Sequence, residues 1–174
     1  TGHAPKLVTD VAAKLISEQD MGAIERDMWL RLLDAPDQLL RDLAVRKLEE
    51  LKLREVVEML NQGIRIFRER VGRAPASVEE MLEVGLLKAL PPDPLGGRFF
   101  IDADGNAQNT TLLDEAKTQA ITIIQGTLDR YAKDYGVPPA TLEALVPAGY
   151  LTELPENPYP GETWRYDAAS GNLE

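Results

Sequence analysis

The stretch from Gly72 to Gly97, GRAPASVEEMLEVGLLKALPPDPLGG, returns 64 residues later from Gly136 to Gly161 without a gap. Gly72, Pro75, Ala76, Glu79, Gly85, Leu87, Leu90, Pro91, Pro94 and Gly97 each meet an identical residue, ten matches in 26 positions, which is a repeat and not coincidence. The matched residues are mostly Gly, Pro and Leu. Gly and Pro set the path of the backbone and Leu fills cores, so the repeat requires two units with one backbone course and says little about chemistry.

The same residues mark the elements. Gly72 follows the last apolar residue of a long helical stretch and suits a left-handed C-cap, and Pro75 blocks continuation. Ser77 with Glu80 reads as a capping box, Ser77 accepting from the Glu80 backbone while the Glu80 side chain reaches back, and the short helix ends at Gly85. Pro91-Pro92-Asp93-Pro94 is an extended bend, Arg98–Ile101 a strand, Asp102–Gly105 a turn and Asn106 onward a return strand. The second copy has the same order. A helix from about Leu112 turns Leu113, Ala116, Ala120, Ile124, Leu128, Tyr131 and Tyr135 inward, a short helix starts at Thr141, and strands follow at 163–166 and 172–174. A two-stranded hairpin is marginal alone. Each is therefore expected against its own long helix, anchored by Phe100 and Trp164.

Upstream, Leu7, Val8, Val11, Ala12, Leu15 and Ile16 recur at helical spacing after Pro5. Asp20 can cap a second helix whose buried stripe is Met21, Ile24, Met28 and Leu32, and the two helices make a hairpin. A third helix runs from Pro36 to about Val71, and its stripe changes side. Leu40, Ala44, Leu48 and Leu51 form one row, whereas Leu53, Val57, Leu60, Ile64, Phe67 and Val71 form another. At about 100° per residue the step from Leu51 to Leu53 is about 200°, so the halves face opposite ways and a boundary falls near Lys52. The expected fold class is α+β, mostly helical. An N-terminal helical hairpin and long helix precede two repeats of long helix, short helix, proline bend and β-hairpin, dividing the chain into 1–53, 54–110 and 111–174.

Composition narrows the function classes. The net charge of −10, of which residues 111–174 carry −6, disfavours nucleic acid or an anionic membrane surface as the main partner. The absence of cysteine excludes disulfides, thiolate zinc sites and Cys nucleophiles. No apolar run approaches the roughly 18–20 residues of a spanning helix. The single histidine, His3, lies in the terminal stretch. The chain begins with Thr1 and reads as a fragment, with any leader or anchor upstream.

Gly72, Pro75, Met81-Leu82, Gly85-Leu86-Leu87, Leu90-Pro91, Asp93-Pro94, Gly97 and Phe99-Phe100 together resemble the periplasmic head of type II secretion major pseudopilins. Gly136, Pro139, Leu145-Val146, Gly149-Tyr150-Leu151, Leu154-Pro155, Asn157-Pro158, Gly161 and Trp164 resemble it again. Pseudopilins have one such head behind a very apolar fibre-forming helix. Here there are two in tandem, the helix entering the first is rich in Arg, Lys, Glu and Asp, and the hairpin before it is similar to the end of a tetratricopeptide-like array. The resemblance implies a non-pilin protein of the periplasm or cell envelope, tethered upstream of Thr1, that uses the head as a docking module for protein partners.

Two clusters invite chemistry. Asp102, Asp104 and Asn106 alternate oxygen ligands as calcium loops do, and the resembled family binds calcium, but Asp and Gly are also what a hairpin turn favours. Arg65, Arg68, Arg70, Arg73 and Arg98 gather in the first copy, where they would either meet an acidic partner or form local ion pairs. No phosphate-cradling loop, nucleophile elbow or paired-acid motif stands out, so no catalytic or cofactor-binding residue is expected. The leading reading is a non-enzymatic interaction or assembly module. The alternatives are a calcium-binding structural module and, more distantly, a hydrolase.

Overall fold

The computed structural model describes residues 22–173. The expected first helix, the Asp20 cap, Met21 and His3 lie outside the described residues. The architecture is mostly helical α+β, about 53% helix with two small antiparallel hairpins.

Helix α1 covers residues 22–32 and α2 covers Gln38–Val71. A short connection at 33–37 joins them, and Arg26 bridges to Glu55 and Arg54 to Glu25 at 3.5 Å. The side of α1 that meets α2 thus carries Glu25 and Arg26, and of the expected stripe Leu32 is half-buried while Ile24 is 67% exposed and Met28 45%. Asp37 caps α2, its carboxylate accepting from Leu39 N at 2.8 Å. Along α2 the two rows persist. Ala44, Leu48 and Leu51 are buried in the first and Leu53, Leu60, Ile64 and Phe67 in the second, while the outer members Leu40 and Val71 are exposed. Gly72 ends the helix at φ 82°, its N–H donating to Arg68 O at 2.9 Å.

The second row of α2 supports the first copy. Leu60, Ile64 and Phe67 pack with Val78 and Met81 of α3 (Val78–Glu83) and with Ala107 of the hairpin. Burying a side chain such as Phe67 contributes roughly 1.5–3 kcal/mol. Ser77 caps α3 as expected, but the Glu80 carboxylate reaches Ala76 N, at 2.7 Å, and pairs with Arg73. Strands β1 (Phe99–Ile101) and β2 (Ala107–Asn109) pair Phe99 with Asn109, Phe100 with Gln108 and Ile101 with Ala107. Phe99 and Ile101 pack on the core, so Phe100 is not the anchor: strand alternation sends it to the other face.

In the second copy α4 (Thr110–Tyr135) starts at an Asn109 cap and ends at Gly136, φ 77°. Ile124 and Leu128 pack with Leu142 and Leu145 of a short 3-10 helix (Leu142–Leu145), and Tyr131, Tyr150, Leu154, Trp164 and Tyr166 close the cluster. Trp164 is an anchor as expected. Ala116 and Tyr135 are exposed instead of inward; Glu115, beside Ala116, is the residue that meets α2. Strands β3 (Tyr166–Asp167) and β4 (Asn172–Leu173) are shorter than expected, and their turn is one residue shorter than that of the first hairpin.

A charge cluster around buried Glu50 joins the first half of α2 to the second copy. The Glu50 side chain is fully buried, with Lys47 at 2.7 Å and Arg46 at 3.2 Å, and Lys47 also reaches Glu115 of α4 at 2.9 Å. Burial alone would lower the Lys47 ammonium, but its bonds to Glu50 and Glu115 outweigh that and hold it above its ordinary value. Lys47 in turn holds the Glu115 carboxyl below its usual range.

Candidate functional site

The proline bend occurs twice, and among the described residues the first is filled by the start of α4. In the first, Asp93 makes an Asx turn, Oδ1 accepting from Leu95 N at 2.8 Å. Its Oδ2 accepts from Asn109 Nδ2 at 2.9 Å and Thr111 Oγ1 at 2.8 Å, so the bend clasps the start of α4. Asn109 spends its own Oδ1 on Leu112 N at 3.0 Å. Burial alone would raise the Asp93 carboxyl, but bonds from Asn109, Thr111, Leu95 and Gly97 together hold it below the ordinary value. Gly97 is required by this closeness. A Cβ there would collide with the Thr110 and Thr111 hydroxyls and the Asp93 carboxylate.

In the second copy Asn157 stands at the Asp93 position and repeats the Asx turn, Oδ1 accepting from Tyr159 N at 3.0 Å. Among the described residues no helix packs into it, and a Cβ at Gly161 would meet nothing within 4 Å. What remains is an open groove of about 550 Å³ whose lining includes Leu142, Leu154, Pro158, Tyr159 and Trp164. A polar recess adjoins it, lined by Lys117, Asn157, Gly161, Glu162, Thr163 and Arg165. The walls are held from below. Trp164 Nε1 donates to Pro155 O at 2.6 Å, and Tyr159 OH donates to Asp114 of α4 at 2.6 Å. That bond to a carboxylate pushes the Tyr159 phenol up to about 12. Lys117 lies over the Tyr159 ring, 5.4 Å from its centroid, and reaches Glu162 at 3.4 Å. The groove thus offers apolar ring faces, an amide and charges of both signs.

The calcium candidates all lie in the first hairpin turn, where Asp102 is spent on hydrogen bonds within the turn. Asp102 Oδ1 accepts from Asp104 N at 3.0 Å and Asn106 N at 2.8 Å, and its Oδ2 accepts from Gln108 Nε2 at 2.8 Å. Arg68 donates to Asp104 O and Gly105 O, each at 2.9 Å, so a guanidinium already lies on the loop carbonyls. Among the described residues no group of three or more His, Asp or Glu side chains is placed to hold a metal. Other members of the arginine group also have local partners: Arg73 pairs with Glu80 and lies over the Phe67 ring, and Arg65 reaches Glu58 at 3.5 Å.

Two features escaped the sequence reading. The charge cluster was signalled only by Arg46, Lys47 and Glu50 at helical i,i+3 and i,i+4 spacing between buried leucines. The Asp93–Asn109–Thr111 clasp joins residues 16 and 18 apart, and no local pattern encodes it. Among the described residues no helix is long and apolar enough to cross a membrane. Comparison of the chain with protein-family models, curated proteins and solved structures finds no match.

Proposed function

We propose that the chain is a non-enzymatic protein–protein interaction or assembly module of the bacterial cell envelope, working beside a secretion or pilus-like machine. Residues 54–110 and 111–174 are its two docking heads, and residues 1–53 form the helical unit that presents them. The observation that carries the interaction reading is the number of exposed apolar side chains over residues 24–45, among the described residues. Ile24, Met28, Leu30, Leu39, Leu40, Leu43 and Val45 are 39–76% exposed there. Apolar side chains left in water on an otherwise folded unit are where a partner gains most by burying area. The envelope setting rests on the sequence resemblance to pseudopilin heads. The calcium-binding reading is weaker, because Arg68 already satisfies the carbonyls of the candidate loop.

A photo-crosslinking residue at Leu39 or Leu43, followed in fractionated bacterial cells, tests the proposal. The expected result is a discrete adduct in the periplasmic or membrane fraction, lost when Leu40 is also changed to Asp, with none from the same probe at exposed Lys88. Recovery of the protein with cytoplasmic markers would sink the envelope setting. Absence of any adduct from either apolar position would sink the interaction surface.

A further inference from the structure

The two long helices end on the same backbone turn with different side chains around it. In the first copy the fully buried Phe67 ring lies under a cation of its own chain. Arg73, the residue after the Gly72 cap, holds its guanidinium carbon 5.6 Å from the ring centroid. Glu80 completes the unit, its two carboxylate oxygens accepting from the two terminal nitrogens of Arg73, one of them at 3.0 Å. An arginine is thus held between an aromatic face and a carboxylate. The 64-residue repeat puts Tyr131 at Phe67, Val137 at Arg73 and Ala144 at Glu80, so the second copy has the ring without the cation or its counter-ion.

The ring surface there is larger. Tyr135 stacks on Tyr131 with 4.4 Å between centroids and 24° between planes, and Tyr150 meets them at 5.4 and 6.4 Å. Tyr135 is 59% exposed and Val137 62%. A carboxylate returns from a different position: Asp134 Oδ2 accepts from Tyr150 OH at 2.5 Å, and Asp134 forms no ion pair among the described residues. That bond pushes the Tyr150 phenol up to about 12, so the phenol stays a donor to the carboxylate. The C-terminal, negative end of the α4 dipole lies at the same place. Among the described residues no cation lies over any of the three rings, Lys133 of the last turn included.

These features select the occupant. A sugar ring would use the exposed face but would leave the carboxylate charge uncompensated. A quaternary ammonium needs rings facing one another around it, whereas Tyr131 and Tyr135 lie nearly parallel and in contact. A planar guanidinium stacks on a single ring and bonds a neighbouring carboxylate, as Arg73 does. We infer that the Tyr135 face, with the Asp134 carboxylate beside it, is a docking surface for an arginine of a partner protein, which supplies in trans the cation that the first copy carries in cis. This rests on the reading of residues 111–174 as a docking head. It does not involve the apolar side chains of residues 24–45, and either surface can fail alone.

A random peptide library panned on the whole chain provides the test, with every peptide that also binds Tyr135→Ala removed by counter-selection. The expected survivors share an arginine. Citrulline keeps the planar shape of that arginine and loses its charge, so the exchange should weaken binding roughly tenfold. Asp134→Asn keeps an acceptor for Tyr150 OH and an exposed helical side chain while removing the charge, and it should weaken the original peptide by roughly threefold to tenfold without a change in melting temperature. Survivors without a shared arginine overturn the inference, as does binding that is indifferent to both citrulline and Asp134→Asn. Loss of every peptide in the counter-selection overturns it too, but shows that the chain is bound elsewhere and leaves the interaction reading standing. A library from which nothing is retained overturns the inference, and the adducts at Leu39 or Leu43 then decide the interaction reading alone.

Discussion

Asp93 is where one side chain does most to join the two copies, and its chemistry is pH-dependent. A carboxyl whose folded pKa lies below its unfolded value adds stability above the unfolded value, and that stability is lost as pH falls through the folded one. Asp93→Ala should therefore be clearly destabilised against the parent at pH 7. The gap between their melting temperatures should narrow as pH drops below about 4, the unfolded carboxylate range. A gap that is constant from pH 7 to pH 3 would mean that the ionised form is not what matters. At Asp102, Asp104 and Asn106 the expectation is the opposite of a ligand effect. Because Arg68 donates to the carbonyls of Asp104 and Gly105, saturating calcium should leave the melting temperature where a chelator leaves it. The oxygen spacing of this turn was legible in the sequence. The guanidinium laid over it was not, because Arg68 lies 36 residues away on another element.

At the scale of elements, the glycine and proline punctuation carried most of the assignment. Gly72 and Gly136 end the long helices in the left-handed region, as their positions required. What the punctuation left open was the face of each strand. A slip of one residue reverses every side chain, and the aligned pair Phe100 and Trp164 gave no means of fixing the register. Phe99→Ala should cost about 2–3 kcal/mol by opening the first core, and Phe100→Ala well under half of that, since its ring lies on the other face of the strand. Urea midpoints of the two variants decide: equal losses would contradict the register. The same reasoning explains α1. Its apolar spacing was visible, yet pairing with α2 uses the side bearing Glu25, Arg26, Trp29 and Leu32, a face displaced from the Ile24 and Met28 row.

Across the whole molecule, α2 serves both copies, and the Lys47–Glu50–Glu115 cluster holds α4 against it. Lys47→Met should cost about 2–4 kcal/mol, because it strips the fully buried Glu50 of its nearest cation and leaves only Arg46. Adding Glu50→Leu should recover much of that loss in chemical denaturation, since the unpaired buried charge is then gone. If the single variant is as stable as the parent, the cluster does not hold the joint. The repeat, the mostly helical α+β class, the helix stops and the order of elements were all written in the sequence, because they depend on local backbone preferences and short-range periodicity. The choice of strand face, the charge cluster, the clasp at Asp93 and the open groove at Asn157 were decided only in the tertiary structure. Each depends on which residues far apart in the chain meet.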